Sequence, residues 1–178
     1  MSSRQRDIGE SSRHPVLGET RTLIGLSGSA DNRELAIRMA AQCRRGIDIV
    51  SRHLDPAVYD EQAFVTAVKA MVLTHTRSRV RILVLNTALL VQRGHRLLEL
   101  AIQLSSFIEL RTPAPEHREF NAAILVADQL GFIYRPLSDR YAGNASFCAR
   151  KTARGLTQRF DELWQYAVPD PNLRRLQV

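Results

Sequence analysis

Histidine and acidic side chains follow the apolar run at residues 47–50, where they could support acid–base chemistry. His53 stands two residues before Asp55, and a carboxylate so placed can orient an imidazole for proton transfer. Ser51 and Arg52 precede this pair directly. Asp-Pro at residues 55–56 also marks a helix start at which the Asp side chain is the N-cap. The sequence supports both interpretations.

A second group follows the apolar run at residues 79–85. Asn86 comes directly after that run, so we expect it to lie in the same crevice as His53, beyond the carboxyl ends of neighbouring strands. His95 and Glu99 are four residues apart on a predicted helix. They could be a general base with its orienting carboxylate, or a half-exposed pair worth a few tenths of a kcal/mol. Two cations beside this histidine are further candidates for ligand binding, Arg93 and Arg96.

A third group lies at residues 134–141, which read YRPLSDRY. Arg135 could bind an anion with both arms of its guanidinium group. It could instead form an internal ion pair with Asp128 or Asp139, which would fix the geometry of this loop. Arg140 is a further candidate ligand-binding residue in the same segment.

Residues 121–136 read NAAILVADQLGFIYRP, two apolar runs joined by a tight-turn sequence at residues 128–131, and they predict a β-hairpin. This layout resembles the half-site of the phospholipase D superfamily, in which a strand carries His-x-Lys and an Asp follows at its far end. On this sequence the Asp corresponds to Asp128, whereas the His position holds Asn121 and the Lys position holds Ala123.

The resemblance implies a phospholipase D-like fold whose catalytic groups have been replaced. In that superfamily the histidine is the nucleophile that forms a phospho-enzyme, and the lysine stabilises the phosphoryl oxygens. Asparagine has no nucleophilic nitrogen, and alanine has neither charge nor donor. A phosphodiesterase-type activity would therefore need a relocated histidine base, for which His53 and His95 are the candidates.

The resemblance covers nearly the whole chain, from about residue 20 to residue 168. The sequence is also similar to small bacterial domains of this type that are sometimes attached to acyltransferases, which share the segments at residues 93–99 and 134–140. A chain of this size carries a single half-domain, whereas an active site of this superfamily needs two. The resemblance therefore allows a homodimer.

The charge of the chain favours an anionic partner. The net charge is +7 and the pI is about 10.2, and nearly all of the positive charge is arginine, which binds phosphates and stacks on bases. An arginine-rich genome would give the same balance, so a nucleic-acid partner and an incidental basic surface are both open. No apolar run approaches the roughly 20 residues of a membrane span, and the amino terminus lacks a signal-peptide core. We therefore expect a cytoplasmic protein without a membrane partner.

Cysteine spacing and motif content give no indication of a metal or cofactor. Cys43 and Cys148 lie far apart, without histidine partners at ligand spacing, and are predicted to be reduced thiols. The chain has no phosphate-binding loop of the Walker type and no dinucleotide-binding glycine pattern. We expect no cofactor and no metal.

Hydrophobic periodicity predicts strands alternating with helices, followed by the late hairpin. Helices are predicted from Ser29 or Asp31 to Arg45 with Gly46 as terminator, over 61–76, over 87–105 with a break at Gly94, and over 151–166; strands are predicted at 20–26, 46–51, 79–85 and 107–111, with 139–147 irregular. This order predicts an α/β fold, a three-layer α/β/α sandwich with a mixed sheet. Residues 1–20 are predicted to be a mobile tail, residues 21–168 the domain, and residues 169–178 a C-terminal tail.

Together these patterns predict a non-catalytic phospholipase D-like domain that binds phosphate-bearing ligands, with nucleic acid favoured. The alternatives are a protein–protein interaction or regulatory module and, last, an enzyme with a relocated histidine. The predicted ligand-binding residues are His53, Asn86, Arg93, His95, Arg96, Asn121, Arg135 and Arg140.

Overall fold

A computed structural model describes residues 14–174. Its strands are β1 (Ile24–Leu26), β2 (Gly46–Ser51), β3 (Arg79–Val84), β4 (Ile108–Arg111), β5 (Ala123–Ala127), β6 (Gly131–Arg135) and β7 (Gly143–Ser146). Its helices are α1 (Ser29–Gln42), α2 (Pro56–Tyr59), α3 (Gln62–Thr74), α4 (Ala88–Arg93), α5 (Arg96–Gln103), α6 (Arg150–Gln165) and α7 (Pro171–Arg174), with a 3-10 turn at Pro115–His117.

The strands form one seven-stranded mixed sheet in the order β1-β7-β6-β5-β2-β3-β4. Strands β2, β3 and β4 are parallel, and β5 joins β2 in the antiparallel sense. A large core on one face contains α1, α3 and α5, and a smaller core on the other contains α6 alone. The predicted three-layer α/β/α sandwich with a mixed sheet is confirmed.

The parallel strands define two ends of the sheet, which we call the carboxyl end and the amino end. The carboxyl end contains the ends of β2, β3 and β6 and the start of β5, because β5 runs opposite to β2 and β6 opposite to β5. The amino end contains the starts of β2 and β3, the β5–β6 turn and the start of α6. The last of these is placed there by a hydrogen bond from Ala149 N to Leu130 O of 2.9 Å.

The helix predicted over 61–76 is confirmed as α3. Five of its residues form a buried apolar face, namely Phe64, Val65, Val68, Met71 and Val72. The helix predicted over 87–105 is broken where expected, since Gly94 has a φ of 72° between α4 and α5. The closing helix also packs as predicted, with Phe160 and Leu163 buried against the sheet.

Three local predictions were wrong. Helix α1 is capped by Gly28, and Asp31 is the third residue of the helix, accepting hydrogen bonds from Ser27 N and Gly28 N. Gly46 begins β2 rather than ending α1, which stops at Gln42. The segment predicted to be irregular contains β7, whose residues GNAS have low strand propensity but pair with both β1 and β6.

The two predicted tails are only partly covered by the structure. Residues 1–13 and 175–178 lie outside the described residues. Leu17 N donates to the side chain of Gln42 at 2.8 Å, so the segment from residue 14 contacts α1. Beyond α6, Asp170 and Leu173 are buried. None of the helices between residues 14 and 174 combines the length and hydrophobicity that a bilayer crossing requires.

Candidate ligand-binding site at the carboxyl end of the sheet

Residues 52–55, in the loop that follows β2, contact most of the other residues of the candidate site. Leu54 in this loop is fully buried and has a φ of 53°, a conformation that costs a branched residue roughly 1–2 kcal/mol. Two hydrogen bonds fix it, from Asp55 N to Ser51 Oγ at 3.3 Å and between Leu54 O and the ring of His95 at 2.9 Å. The backbone at residues 51–55 is therefore set by tertiary contacts.

His95 is a buried structural residue, only 3% exposed. Its Nε2 is bonded to Leu54 O, and its Nδ1 accepts a hydrogen bond from Leu97 N at 3.2 Å, so the ring caps α5. Burial lowers the pKa of His95, and the neighbouring Asp60 carboxylate opposes that shift. Neither alternative for a His95–Glu99 pair holds, because His95 precedes the helix and both of its ring nitrogens are engaged.

Arg135 is buried at the end of β6, 4% exposed, and its internal partner is Asp55 rather than Asp128 or Asp139. The Nη1 to Oδ2 distance is 3.4 Å. The guanidinium group also lies over the ring of Tyr141, 5.1 Å from the centroid, and the Tyr141 hydroxyl donates to Asp55 at 3.3 Å. Desolvation, with help from the Asp55 charge, raises the pKa of Tyr141.

Asp55 is also the N-cap of α2, accepting from Ala57 N at 3.1 Å, so the capping interpretation of this residue is confirmed. Its carboxylate is shared among the cap, Arg135 and Tyr141. None of these bonds involves His53. Of the two interpretations that the sequence allowed, the structure shows the cap and not a hydrogen-bonded His53–Asp55 pair.

Arg52 and Asn121 meet at the start of the hairpin. Arg52 Nη2 donates to Asn121 Oδ1 at 3.2 Å and to Phe120 O at 3.4 Å, and its Nε donates to Ser138 Oγ at 3.3 Å. Ser138 Oγ in turn donates to Asn121 Oδ1 at 2.8 Å. Every acceptor of the Arg52 guanidinium is neutral, and no carboxylate of the described residues lies within ion-pair distance of it.

Donors remain available in this cluster. Asn121 is exposed, and neither its amide nitrogen nor Arg52 Nη1 has a hydrogen-bond partner within residues 14–174. Ala123, at the position that holds lysine in the resembling family, is 3% exposed and packs in the sheet. The arrangement can bind an anion, and it offers no nucleophile at this point of the hairpin.

Backbone connections place His53 and Asn86 beside this cluster, because His53 follows Arg52 in the chain and Asn86 is hydrogen-bonded to the Arg52 carbonyl. Asn86 N donates to Arg52 O at 2.7 Å, and the Asn86 side chain caps its own turn by accepting from Ala88 N at 3.0 Å. His53 is half-buried, and its Nδ1 is a buried atom without a hydrogen-bond partner in the described structure. Of the two candidate histidines His53 and His95, it is the one with an unoccupied ring nitrogen.

The other predicted ligand-binding cations do not join the cluster. The Arg96 side chain is 3.6 Å from Asp60 and donates to the Asp60 carbonyl at 2.8 Å. Arg93 and Arg140 are exposed, and no described contact links their side chains to Arg52 or Asn121. The structure therefore brings Arg52, Asn121 and Ser138 together, with His53 and Asn86 beside them, and leaves the remaining candidates apart.

Ser138 and Tyr141 lie in the third predicted group at residues 134–141, but neither they nor Arg52 were among the predicted ligand-binding residues. Sequence spacing alone has no signal for them, since Ser138 lies 86 residues from its partner Arg52. Pro136 and the two tyrosines of this segment were the local indications of a loop with one fixed geometry.

Asp128, which matches the family Asp, lies at the amino end. Asp128 and Gln129 both have a φ of 55°, which is the backbone of a two-residue hairpin turn. The Asp128 carboxylate accepts from the backbone of Arg44, Arg45 and Gly46 and from the buried Cys43 thiol. Burial, followed by the Asp128 charge, raises the pKa of that thiol, and both cysteines are free, as predicted.

Comparison with known proteins gives a family. The family model described as "Domain of unknown function (DUF7931)" matches residues 28–176, and the chain belongs to that family. No curated protein matches the chain by sequence.

Solved structures give the fold. TrmBL2, an archaeal chromatin protein, superposes with a TM-score of 0.60 at 15% identity, covering 85% of this chain and 54% of that chain. Nuc from Salmonella typhimurium, a phospholipase D family member, has a TM-score of 0.56 at 11% identity and covers 83% of this chain and 96% of that one. Phosphatidylserine synthase from Haemophilus influenzae Rd KW20 has the same TM-score and identity, with 94% of this chain and 44% of that chain covered. The chain therefore has a phospholipase D-like fold.

Proposed function

We propose that this member of the DUF7931 family is a non-catalytic phospholipase D-like domain that binds phosphate-bearing ligands, chiefly nucleic acid, at the carboxyl end of its sheet. Arg52 is the cation that contacts the phosphate. Asn121 and Ser138 orient it, and Asn121 supplies a second donor.

The observation that carries this proposal is the unneutralised charge of Arg52. Its hydrogen bonds go to an amide oxygen, a carbonyl and a hydroxyl, all at 3.2–3.4 Å. Neutral acceptors fix the direction of a guanidinium group without cancelling its charge, and a phosphate is the partner that a guanidinium binds with two parallel hydrogen bonds. The neighbouring Arg135, by contrast, is already paired with Asp55.

The absence of catalysis is supported by the residues in the hairpin. Asn121 stands at the histidine position and the buried Ala123 at the lysine position. A phosphoryl transfer there would have no nucleophile, and the lysine that stabilises the phosphoryl oxygens in the resembling superfamily is missing. Both ring nitrogens of His95 are engaged, so of the two candidate bases only His53 could act as a relocated base.

The choice of nucleic acid rests on charge and on a structural neighbour. The net charge of +7 favours a polyanion over a single small phosphate. TrmBL2, which this chain matches over 54% of its length, is a chromatin protein with a novel mode of DNA binding, and this neighbour supports the choice of nucleic acid.

Fluorescence anisotropy with labelled single-stranded RNA and DNA, titrated between about 50 and 300 mM salt, tests the proposal. Arg52→Gln should weaken binding severalfold and lower the salt slope by roughly 0.7, the value for one phosphate contact on a single strand. Lys69→Gln removes the same charge from the exposed face of α3 and should leave binding within a factor of two. Wild-type protein that fails to bind at the lowest salt concentration refutes the proposal.

Two further outcomes separate the alternatives. A protein-interaction module would retain its partners in a pull-down after nuclease treatment, whereas an association mediated by nucleic acid would be lost. Turnover of a generic phosphodiester that is abolished by His53→Ala would show an enzyme with a relocated base and would overturn the non-catalytic assignment.

A further inference from the structure

Unpaired cations gather at the amino end of the sheet, opposite the Arg52 cluster. They occupy three segments: the turn before β2, the turn before β3 together with the first residue of β3, and the first two turns of α6. We call them the amino-end cations: Arg44, Arg45, Arg77, Arg79, Arg150, Lys151 and Arg154. All are exposed, and none lies within 4.0 Å of a carboxylate in residues 14–174.

The fold brings these three segments together although they are distant in sequence. Arg79 N donates to Arg45 O at 3.1 Å, which joins the turns before β2 and β3. The backbone of Arg44 and Arg45 is bound to the Asp128 carboxylate in the hairpin turn, and the residue before Arg150 is bound to Leu130 in the same turn. The cations thus extend across about three strand spacings, or roughly 15 Å.

The two carboxylates in the cleft at this end are occupied by other partners. A cleft of about 270 Å³ between Arg45 and Arg79 contains Asp48 and Asp128. Asp48 binds Arg81 through both oxygens, at 2.8 and 2.9 Å. Asp128 is used by the three backbone N–H groups and the Cys43 thiol described above. The exposed Arg45 and Arg79 on the rim of the cleft are therefore not neutralised by these carboxylates.

The cations at the start of α6 destabilise the N-terminus of that helix. Its first turn contains Arg150 and Lys151 and no acidic residue, and its N-cap makes no side-chain hydrogen bond. Cations near a helix N-terminus are disfavoured by the helix dipole, typically by about 0.3–1 kcal/mol each. An anion bound at this end would remove that repulsion.

We propose that the amino end of the sheet is a second nucleic-acid-binding surface, which contacts the phosphodiester backbone through the amino-end cations. A row of arginines about 15 Å long faces several phosphates of a duplex, which carries one charge per about 1.7 Å of axis. The surface is separate from the Arg52 cluster and shares with the proposed function only the class of ligand.

A nucleic acid fits this surface better than an anionic membrane does. Tryptophan and tyrosine are the residues that anchor proteins among lipid headgroups. The single tryptophan and the four tyrosines of the chain lie elsewhere: Trp164 and Tyr166 near the end of α6, Tyr59 in α2, Tyr134 in β6 and Tyr141 in the β6–β7 loop. A surface with exposed arginines on its turns and no such aromatic anchor is typical of contact with the phosphate backbone of a nucleic acid.

Two variants with equal net charge test this surface. The amino-end variant carries Arg45→Gln, Arg77→Gln and Arg150→Gln. The carboxyl-end variant carries Arg93→Gln, Arg118→Gln and Arg140→Gln, all exposed and without ion-pair partners in the described structure. Both are measured by anisotropy with duplex DNA, single-stranded DNA and single-stranded RNA, and by circular dichroism to verify folding.

The amino-end variant should bind at least about tenfold more weakly at roughly 100 mM salt, with the salt slope reduced by roughly 2–3, the value for three phosphate contacts. The carboxyl-end variant should lose clearly less affinity than the amino-end variant, because no described contact links its three cations to Arg52 or Asn121 and they contribute only through their charge. Equal affinities of the two variants, or a loss confined to the carboxyl-end variant, would overturn the proposal.

Arg52→Gln distinguishes this proposal from the proposed function. If Arg52→Gln binds normally while the amino-end variant does not, the site at the carboxyl end is refuted and the second surface stands. The reverse pattern refutes only the second surface. Binding of the wild type to anionic phosphatidylserine vesicles but to none of the three nucleic acids would also overturn the proposed second surface.

Discussion

Breaking the buried Arg135–Asp55 pair should be among the most costly single changes in this protein. Asp55→Asn keeps the N-cap of α2, because asparagine caps as well as aspartate, but it leaves the buried guanidinium without its counter-charge. Removing one partner of a buried pair costs about 3–5 kcal/mol. We expect about 3 kcal/mol here, at the low end, because Arg135 keeps its contact with the ring of Tyr141.

The reciprocal variant should cost less. Arg135→Met leaves Asp55 unpaired, but that side chain is 18% exposed and keeps the Tyr141 hydroxyl as a donor. Water can reach it, so we expect about 2 kcal/mol. The double variant leaves neither charge without its partner. Its loss of unfolding free energy should therefore be smaller than the sum of the two single losses by at least about 1.5 kcal/mol.

Urea denaturation of the wild type, both single variants and the double variant measures these free energies of unfolding. For a chain of this length, about 3 kcal/mol corresponds to a fall in Tm of roughly 6–12 °C. Glu109→Gln is the control, because the Glu109–Arg111 pair is exposed and should contribute less than about 1 kcal/mol. Additive losses in the double variant, or an Asp55→Asn loss no larger than that of Glu109→Gln, would refute the reasoning.

Two other predictions concern the pH dependence and the sheet. Burial lowers the pKa of His95 below its usual value of 6.5, so the unfolded chain binds a proton there more readily and stability is lost as pH falls below about 6.5. Unfolding free energies measured from about pH 7 to pH 5 should therefore fall more steeply for the wild type than for His95→Gln. Parallel curves for the two proteins would contradict this. Gly143→Ala should abolish or severely weaken folding, because its Cβ would overlap Tyr134 O, whereas Gly25→Ala in the neighbouring strand meets nothing within 4 Å. Comparable thermal melts of the two glycine variants would argue against the pairing of β7 with β6.

Local pattern predicted the elements that have a continuous apolar face. The α3 face and the hairpin from Ala123 to Arg135 were correctly placed, since helical spacing and a turn with two positive-φ residues are encoded in neighbouring positions. Strand β7 was missed because GNAS carries no hydrophobic alternation. Its conformation comes from hydrogen bonds to strands on both sides.

The candidate site was predicted only in part, and for a related reason. The departures at Asn121 and Ala123 could be recognised from the sequence, since they follow from residue identity alone. The partner of Arg135 could not be identified: two nearby acids were considered, and the residue bound is Asp55, 80 positions away. His95 was placed on a helix face because its spacing to Glu99 is helical, but the helix begins one residue later.

The sequence by itself determined most of the strands and helices with their order, β7 excepted, and the lack of an imidazole and an ammonium group in the hairpin. It determined these because each depends on residue identity or on short-range periodicity. Only the tertiary structure decided which charges are neutralised. Arg135 and Arg96 have carboxylate partners, whereas Arg52 and the amino-end cations have none within the described residues. That difference depends on strand order and register, which place residues far apart in the chain within hydrogen-bonding distance or keep them from it.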